Sequence, residues 1–259
     1  MTQAILEVRD LTVRFGGVTA VDGVSLDVPE GKLVGLIGPN GAGKTTAVDA
    51  ITGLVRSTGQ IAFQGNRIDR LAPHARVRAG IGRTFQSLEL FEDLTIRENL
   101  LVSAESPPWW ATIADLVRPR PVGGAEAAVE QALGALELHD VADAFPPDLS
   151  LGQRKLVTVA RSLAAGPRLL LLDEPAAGLD SAESEALGRD LRRLVDQGLS
   201  QLLIDHDMGL VLGVCDYIYV LEFGRIIAQG TPREIRSDPR VIEAYLGADD
   251  ESESAEVAR

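Results

Sequence analysis

The sequence predicts an α/β fold: a parallel sheet covered on both faces, with a helical block inserted between its strands. Three observations predict it. Short, wholly apolar runs (KLVGLIG, RLLLLDEP, SQLLIDHD) read as strands buried on both faces. Segments with helical spacing lie between them, and such alternation marks a parallel sheet. From Ser87 to Leu163 no strong strand pattern interrupts the helical one.

The elements follow in order. ILEVRD, LTVRF and then VTAVDGVSLDV are β-rich runs with alternating apolar positions. Pro29-Glu30-Gly31 marks a turn. KLVGLIG is a buried strand that runs into a glycine-rich loop, and AVDAITGL follows as a helix. GQIAFQGNRI reads as a strand or hairpin returning to the early sheet. The helical middle is broken at Ser106-Pro107-Pro108 and again at PRPVGG from Pro119. RLLLLDEP, SQLLIDHD and DYIYVLEFGRIIAQG are later strands with helices between them. No internal repeat is visible, so the chain carries one copy of its machinery.

A chain of 259 residues, 45% hydrophobic and 24% charged, suits one globular domain with a sizeable core. The net charge of −13 argues against broad binding to nucleic acid or anionic lipid, both of which want a basic surface. Cys215 is the single cysteine, so no internal disulfide can form, which suits a reducing cytoplasm. The start lacks the pattern of a signal peptide. No apolar run approaches the roughly 18–20 residues of a membrane helix, so the chain is not expected to span a bilayer by itself. The cassette is expected over residues 1–248, and the end, 249–259, reads as an acidic, disordered tail.

The strongest local motif is GPNGAGKTT, made of Gly38, Pro39, Asn40, Gly41, Ala42, Gly43, Lys44, Thr45 and Thr46. It fits G-x-x-x-x-G-K-[ST] between a buried strand and a helix, the context that separates a phosphate loop from an ordinary glycine turn. Glycines let successive backbone N–H groups turn inward on phosphate oxygens, and the helix N-terminus adds its positive end. Lys44 would neutralise the β- and γ-phosphates, and Thr45 would offer a hydroxyl to Mg²⁺. RLLLLDEP ends a strand on Asp173, which delivers a carboxylate to the sheet edge where ligands of open α/β sheets bind. Asp173 is placed to hold Mg²⁺, and Glu174 to act as general base on the attacking water.

The order GPNGAGKTT, GRTFQ, LSLGQ, LLLLDEPAAGLD, LLIDHD resembles the ATP-binding subunits of ABC transporters over nearly the whole chain. The resemblance implies a P-loop NTPase (RecA-like) parallel sheet core, an N-terminal antiparallel β subdomain and an inserted α-helical subdomain at about 87–162. It implies ATP and Mg²⁺ as ligands. Gln86 resembles the Q-loop glutamine, which senses the metal and attacking water and links to the membrane subunit. His206 resembles the switch histidine at the γ-phosphate. Asp180 resembles the interface aspartate of the D-loop, and also fits the N-cap of the helix starting near Ser181. Phe15 resembles the aromatic that stacks on adenine, although a strand aromatic is more often core. His74 and His139 have no motif context and read as surface residues.

LSLGQ has two compatible readings. Ser150 and Gln153 form the S-x-x-Q pattern of a capping box, and the apolar positions from Leu156 to Ala164 recur at helical spacing. A capped N-terminus is also an anion site, and Gly152 allows close approach of its N–H. By resemblance, this stretch faces the ATP held by a second ATP-binding subunit, the same chain or a paralogue, in a head-to-tail dimer.

The early VRFGGVTAVDGVSLDVPEGKLVGLIGPNGAGKTT, the middle GRTFQSLELFEDLTIRENLLV, HDM after the switch position and the ending VIEAYLG resemble the longer ATPase type of branched-chain amino-acid uptake systems. That family commonly carries a bulky residue where Leu151 stands. The resemblance implies transmembrane permease subunits as partners, a solute-binding protein indirectly, no nucleic acid, and a peripheral place on the cytoplasmic face of the membrane. Leu88, Leu90 and Phe91 are expected to receive a helix of the membrane partner. SPPWWATIADL, with Trp109 and Trp110, departs from the pattern; core packing of the insert is its simplest reading. The alternatives are a lipopolysaccharide-type export ATPase, a urea or amide importer, and a soluble ABC ATPase of translation or DNA repair.

Overall fold

The computed structural model describes residues 3–84, 90–104 and 123–245. Strands β1 (Ala4–Phe15), β2 (Val18–Pro29), β4 (Thr58–Phe63) and β5 (Asn66–Arg67) form an antiparallel sheet in the order β2-β1-β4-β5. ILEVRD and LTVRF, two runs in sequence, are one strand. Asp10 lies at φ 52 where the register with β2 shifts, so a bulge carries the chain through the interruption.

The second sheet has the order β10-β9-β3-β8-β7-β6. Its strands are β3 (Leu33–Ile37), β6 (Ile81–Arg83), β7 (Leu169–Asp173), β8 (Ser200–Ile204), β9 (Tyr217–Glu222) and β10 (Arg225–Gly230). All neighbours are parallel except β10, which returns antiparallel to β9. Only Phe223 and Gly224 join those two strands, and a parallel crossover needs a dozen residues or more.

Among the described residues the α-helices are α1 (Lys44–Thr52), α2 (Pro73–Ala79), α3 (Ile96–Ala104), α4 (Gly123–Ala135), α5 (Leu151–Ala164), α6 (Ser181–Asp196), α7 (Met208–Val214) and α8 (Pro232–Arg236). Sequence periodicity passes over α2 and β6 because each is too short to show a period. Only the N1 proline and the glycine after α2, Gly80 at φ 112, mark them.

Alternation along the fully buried strands splits the core in two. Val34, Leu36, Leu171, Leu202 and Ile204 face α1 and the antiparallel sheet. Leu33, Ile37, Leu170, Leu172 and Leu203 face the helical layer, where α3, α4 and α5 pack on one another. One cover of the parallel sheet is therefore a second sheet rather than helices alone. The loops after β3, β7 and β8 leave the same edge of the sheet, since these strands are parallel neighbours.

Candidate functional site

The loop from β3 into α1 is shaped by two walls. Gly38 lies at φ 151, and a Cβ there would stand 2.0 Å from the carbonyl oxygen of Leu221. Gly43, the N-cap of α1, lies at φ 102, with the Ala20 carbonyl oxygen 2.4 Å from where a Cβ would be. Lys44 is buried, and its Nζ donates to the carbonyls of Gly38 (2.7 Å) and Pro39 (3.0 Å), spanning the loop it closes. Burial lowers its pKa, opposed by the charges of Glu174, Asp205 and Asp173. Asn40, Gly41 and Thr45 are exposed on the rim.

Asp173 ends β7, with only 2% of its surface exposed. Its Oδ2 accepts from Arg83 Nη2 at 2.7 Å, and its backbone N donates to Thr84 Oγ1 at 3.2 Å. Oδ1 is buried with no hydrogen-bond partner among the described residues. A bare buried carboxylate oxygen is costly, and its chemistry is that of a ligand for a hard cation or its water. Glu174 follows at φ 48, an uncommon conformation for a side-chain-bearing residue, held by donation from its N to Ile204 O at 2.7 Å. His206, half-exposed, brings Nδ1 to 4.0 Å from Glu174 Oε2. Lys44, Asp173, Glu174 and His206 thus converge at one sheet edge.

Asp205, which the motif reading passes over, is fully buried and organises that edge. It accepts from the backbone N of His206 (2.8 Å), Asp207 (3.0 Å) and Ala176 (3.3 Å), tying the turn after β8 to the turn after β7. Its one sequence signal is its place beside His206 in DHD. Arg83 was also missed; its signal is an arginine three residues before Gln86.

Ser150, Gly152, Gln153 and Asp180 form a second group. Ser150 Oγ accepts from Gln153 N (3.2 Å) and Gln153 Oε1 from Ser150 N (3.0 Å), the expected capping box of α5. Asp180 caps α6 in the same way with Glu183. The two N-termini are neighbours: a Cβ on Gly152 would lie 3.3 Å from Glu183 Oε1, and one on Gly178 would lie 3.4 Å from Leu151 Cδ2. Leu151 therefore packs against the AAGLD turn of its own chain, with 38% of its surface exposed.

Phe15 is half-exposed at the end of β1, so core packing does not account for it. Leu90 packs against the helical core, while Phe91 is exposed under the Arg161 guanidinium, 5.7 Å from the ring centroid. His74 and His139 are exposed. Gln86, Leu88, Trp109, Trp110 and the tail lie outside the described residues.

The comparisons agree with this geometry. The ABC transporter family pattern matches residues 21–177, and that of the branched-chain amino acid ATP-binding cassette transporter matches residues 225–251. The chain is 42% identical to the high-affinity branched-chain amino acid transport ATP-binding protein BraF of Pseudomonas aeruginosa, over 95% of this chain and 99% of BraF. It is 37% identical to the lipopolysaccharide export system ATP-binding protein LptB of Escherichia coli, over 95% of this chain and 98% of LptB. The crystal structure of the ADP conformation of MJ1267, an ATP-binding cassette of an ABC transporter, superposes with a TM-score of 0.84 at 32% identity, covering 95% of this chain and 100% of that one. The chain belongs to the ABC transporter family, as an ATP-binding cassette ATPase related to the branched-chain amino acid transport ATP-binding proteins.

Proposed function

We propose that this ATPase powers import of branched-chain or related hydrophobic amino acids through partner permease subunits. The observation that carries the chemistry is the convergence of Lys44, Asp173, Glu174 and His206 at one sheet edge. The cargo rests on the family match at residues 225–251 and on the greater identity to BraF than to LptB.

ATP phosphates lie on the backbone N–H groups of the loop from Gly38 to Thr46, to which Pro39 has none to add, with Lys44 against the β- and γ-oxygens. Phe15 offers its exposed ring to adenine. The Thr45 hydroxyl and Asp173 would hold Mg²⁺, and the bare Oδ1 of Asp173 fits that use. When bound, Mg²⁺ neutralises charge on the β- and γ-phosphates. Glu174 orients a water and takes its proton as the water oxygen attacks the γ-phosphorus and ADP leaves. His206 contacts the γ-phosphate, and Gln86 reads the site towards the membrane partner.

Ser150, Gly152 and Gln153 face the ATP of a second ATP-binding subunit in a head-to-tail pair, with Asp180 at the interface. Two-fold symmetry lets one chain type supply both halves of each site. The contacts that the second subunit makes with the γ-phosphate exist only in the closed pair, so hydrolysis opens it. No helix among the described residues is long and apolar enough to cross a membrane, which accords with a peripheral subunit docked through the surface at Leu88, Leu90 and Phe91, where Phe91 is exposed and Leu90 partly buried. Residues of about 87–162 are the helical subdomain that carries this surface. A solute-binding protein acts only through the permease.

The test is ATP hydrolysis by the intact complex, reconstituted with its permease subunits and solute-binding protein. Leucine, isoleucine or valine should stimulate turnover. Stimulation by urea or an amide instead, or co-purification with lipopolysaccharide-export components, would overturn the cargo.

A further inference from the structure

The guanidinium of Arg83 holds two carboxylates at once. Nη2 donates to Asp173 Oδ2 at 2.7 Å, and Nη1 to Asp49 Oδ1 at 2.5 Å. The Arg83 side chain is 8% exposed, that of Asp173 2% and that of Asp49 27%, so the Arg83–Asp173 pair is desolvated and its geometry is constrained, with Asp49 at the wetter side. Asp49 lies on α1, the helix that opens at the phosphate loop, and Asp173 ends β7. The Arg83 carbonyl also accepts from Ser162 Oγ of α5 at 3.4 Å. One residue thus touches the phosphate-loop helix, the strand bearing the metal carboxylate and the helix behind LSLGQ.

We infer that Arg83 is a positioning residue for Asp173. By engaging Oδ2, it fixes the carboxylate so that Oδ1, the oxygen without a hydrogen-bond partner among the described residues, is the one left for the metal. Asp49 anchors the same guanidinium, so the carboxylate is registered to α1 and hence to the bound phosphates. The planar fork suits this task, because its two terminal nitrogens serve two oxygens at fixed spacing. Partners that orient a metal's ligands matter nearly as much as the ligands themselves. The inference rests on reading Asp173 as the metal carboxylate.

Calorimetry of ATP binding to the full chain, with Mg²⁺ and with chelator, measures the affinity gained from the metal. Thermal melts check folding. In R83Q that gain should shrink on the order of tenfold, with affinity in chelator unchanged. R83K keeps the charge but replaces the planar two-nitrogen fork with a single ammonium, so its gain should shrink too. D49N should shift it in the same direction, by less. An intact gain in R83Q, full restoration in R83K, or equal losses with and without Mg²⁺ would each overturn the positioning role. If R83Q fails to fold, an unchanged gain in R83K and D49N overturns it. D173N separates the two levels: an intact gain there removes the metal reading itself. Loss in D173N with none in the Arg83 variants removes only the role of Arg83.

Discussion

Replacing Gly43 with alanine tests how the phosphate loop is shaped. The backbone there lies at φ 102 and ψ 9, and the new Cβ would stand 2.4 Å from the Ala20 carbonyl oxygen. Real Cβ atoms stay beyond 3.0 Å, so about 0.6 Å must open between α1 and β2. Both sides are backbone, so no flexible side chain can yield. Holding the conformation costs on the order of 1–3 kcal/mol. If the loop gives instead, its phosphate-facing amides move with it. Hydrogen bonds to a charged partner are worth roughly 1.5–3 kcal/mol each, so weakening one or two costs about 2–4 kcal/mol. That lowers ATP affinity roughly 30- to 700-fold. Gly41→Ala is the internal control: φ is 79 but nothing lies within 4 Å of its Cβ position. It carries strain without a wall, and affinity should fall by less than about fivefold. Calorimetry with ATP reads both variants. ATP binding by Gly43→Ala within about threefold of the unaltered chain, or an equal loss in Gly41→Ala, would refute the reasoning.

Three further outcomes follow. Glu174→Gln should lower turnover about 10²- to 10⁴-fold while ATP still binds and joins two chains; near-normal turnover would remove Glu174 as the base. Arg76 donates to the carbonyls of Ala50 (2.8 Å) and Ile51 (2.7 Å) at the end of α1, and to those of Leu71 and Asp69 (both 3.0 Å). Arg76→Ala should therefore cost about 3 kcal/mol and lower the melting temperature by roughly 6–12 °C; a fall under about 2 °C would contradict this. Cys215 is buried against Gly35, and burial pushes its thiol pKa up, so it stays protonated and shielded at neutral pH. Thiol labelling should track unfolding in denaturant, and rapid labelling of the native chain would show that the packing is wrong.

Much of the site was legible because its motifs are local. GPNGAGKTT, Asp173 with Glu174, and the capping boxes of Ser150 and Asp180 depend on residues within a few positions of one another, and such patterns survive in one dimension. What was not legible depends on length or distance. β6 has three residues and α2 seven, too few for a period to show. The antiparallel return of β10 follows from the two-residue turn before it, which periodicity does not register.

The sequence by itself determined the layered α/β architecture, the glycine-rich loop after β3 and the carboxylates at the end of β7, since hydrophobic period, turn chemistry and motif spacing are written along the chain. Tertiary structure alone decided which distant groups meet. Arg83 reaches Asp173 across 90 positions and Asp49 across 34, because β6 and β7 pair and α1 packs on their sheet. Asp205 joins two turns because β7 and β8 end side by side. Leu151 settles against Gly178 because the two capped helix N-termini pack together. A side chain's type states what it can bind; the pairing of strands and helices states what lies within its reach.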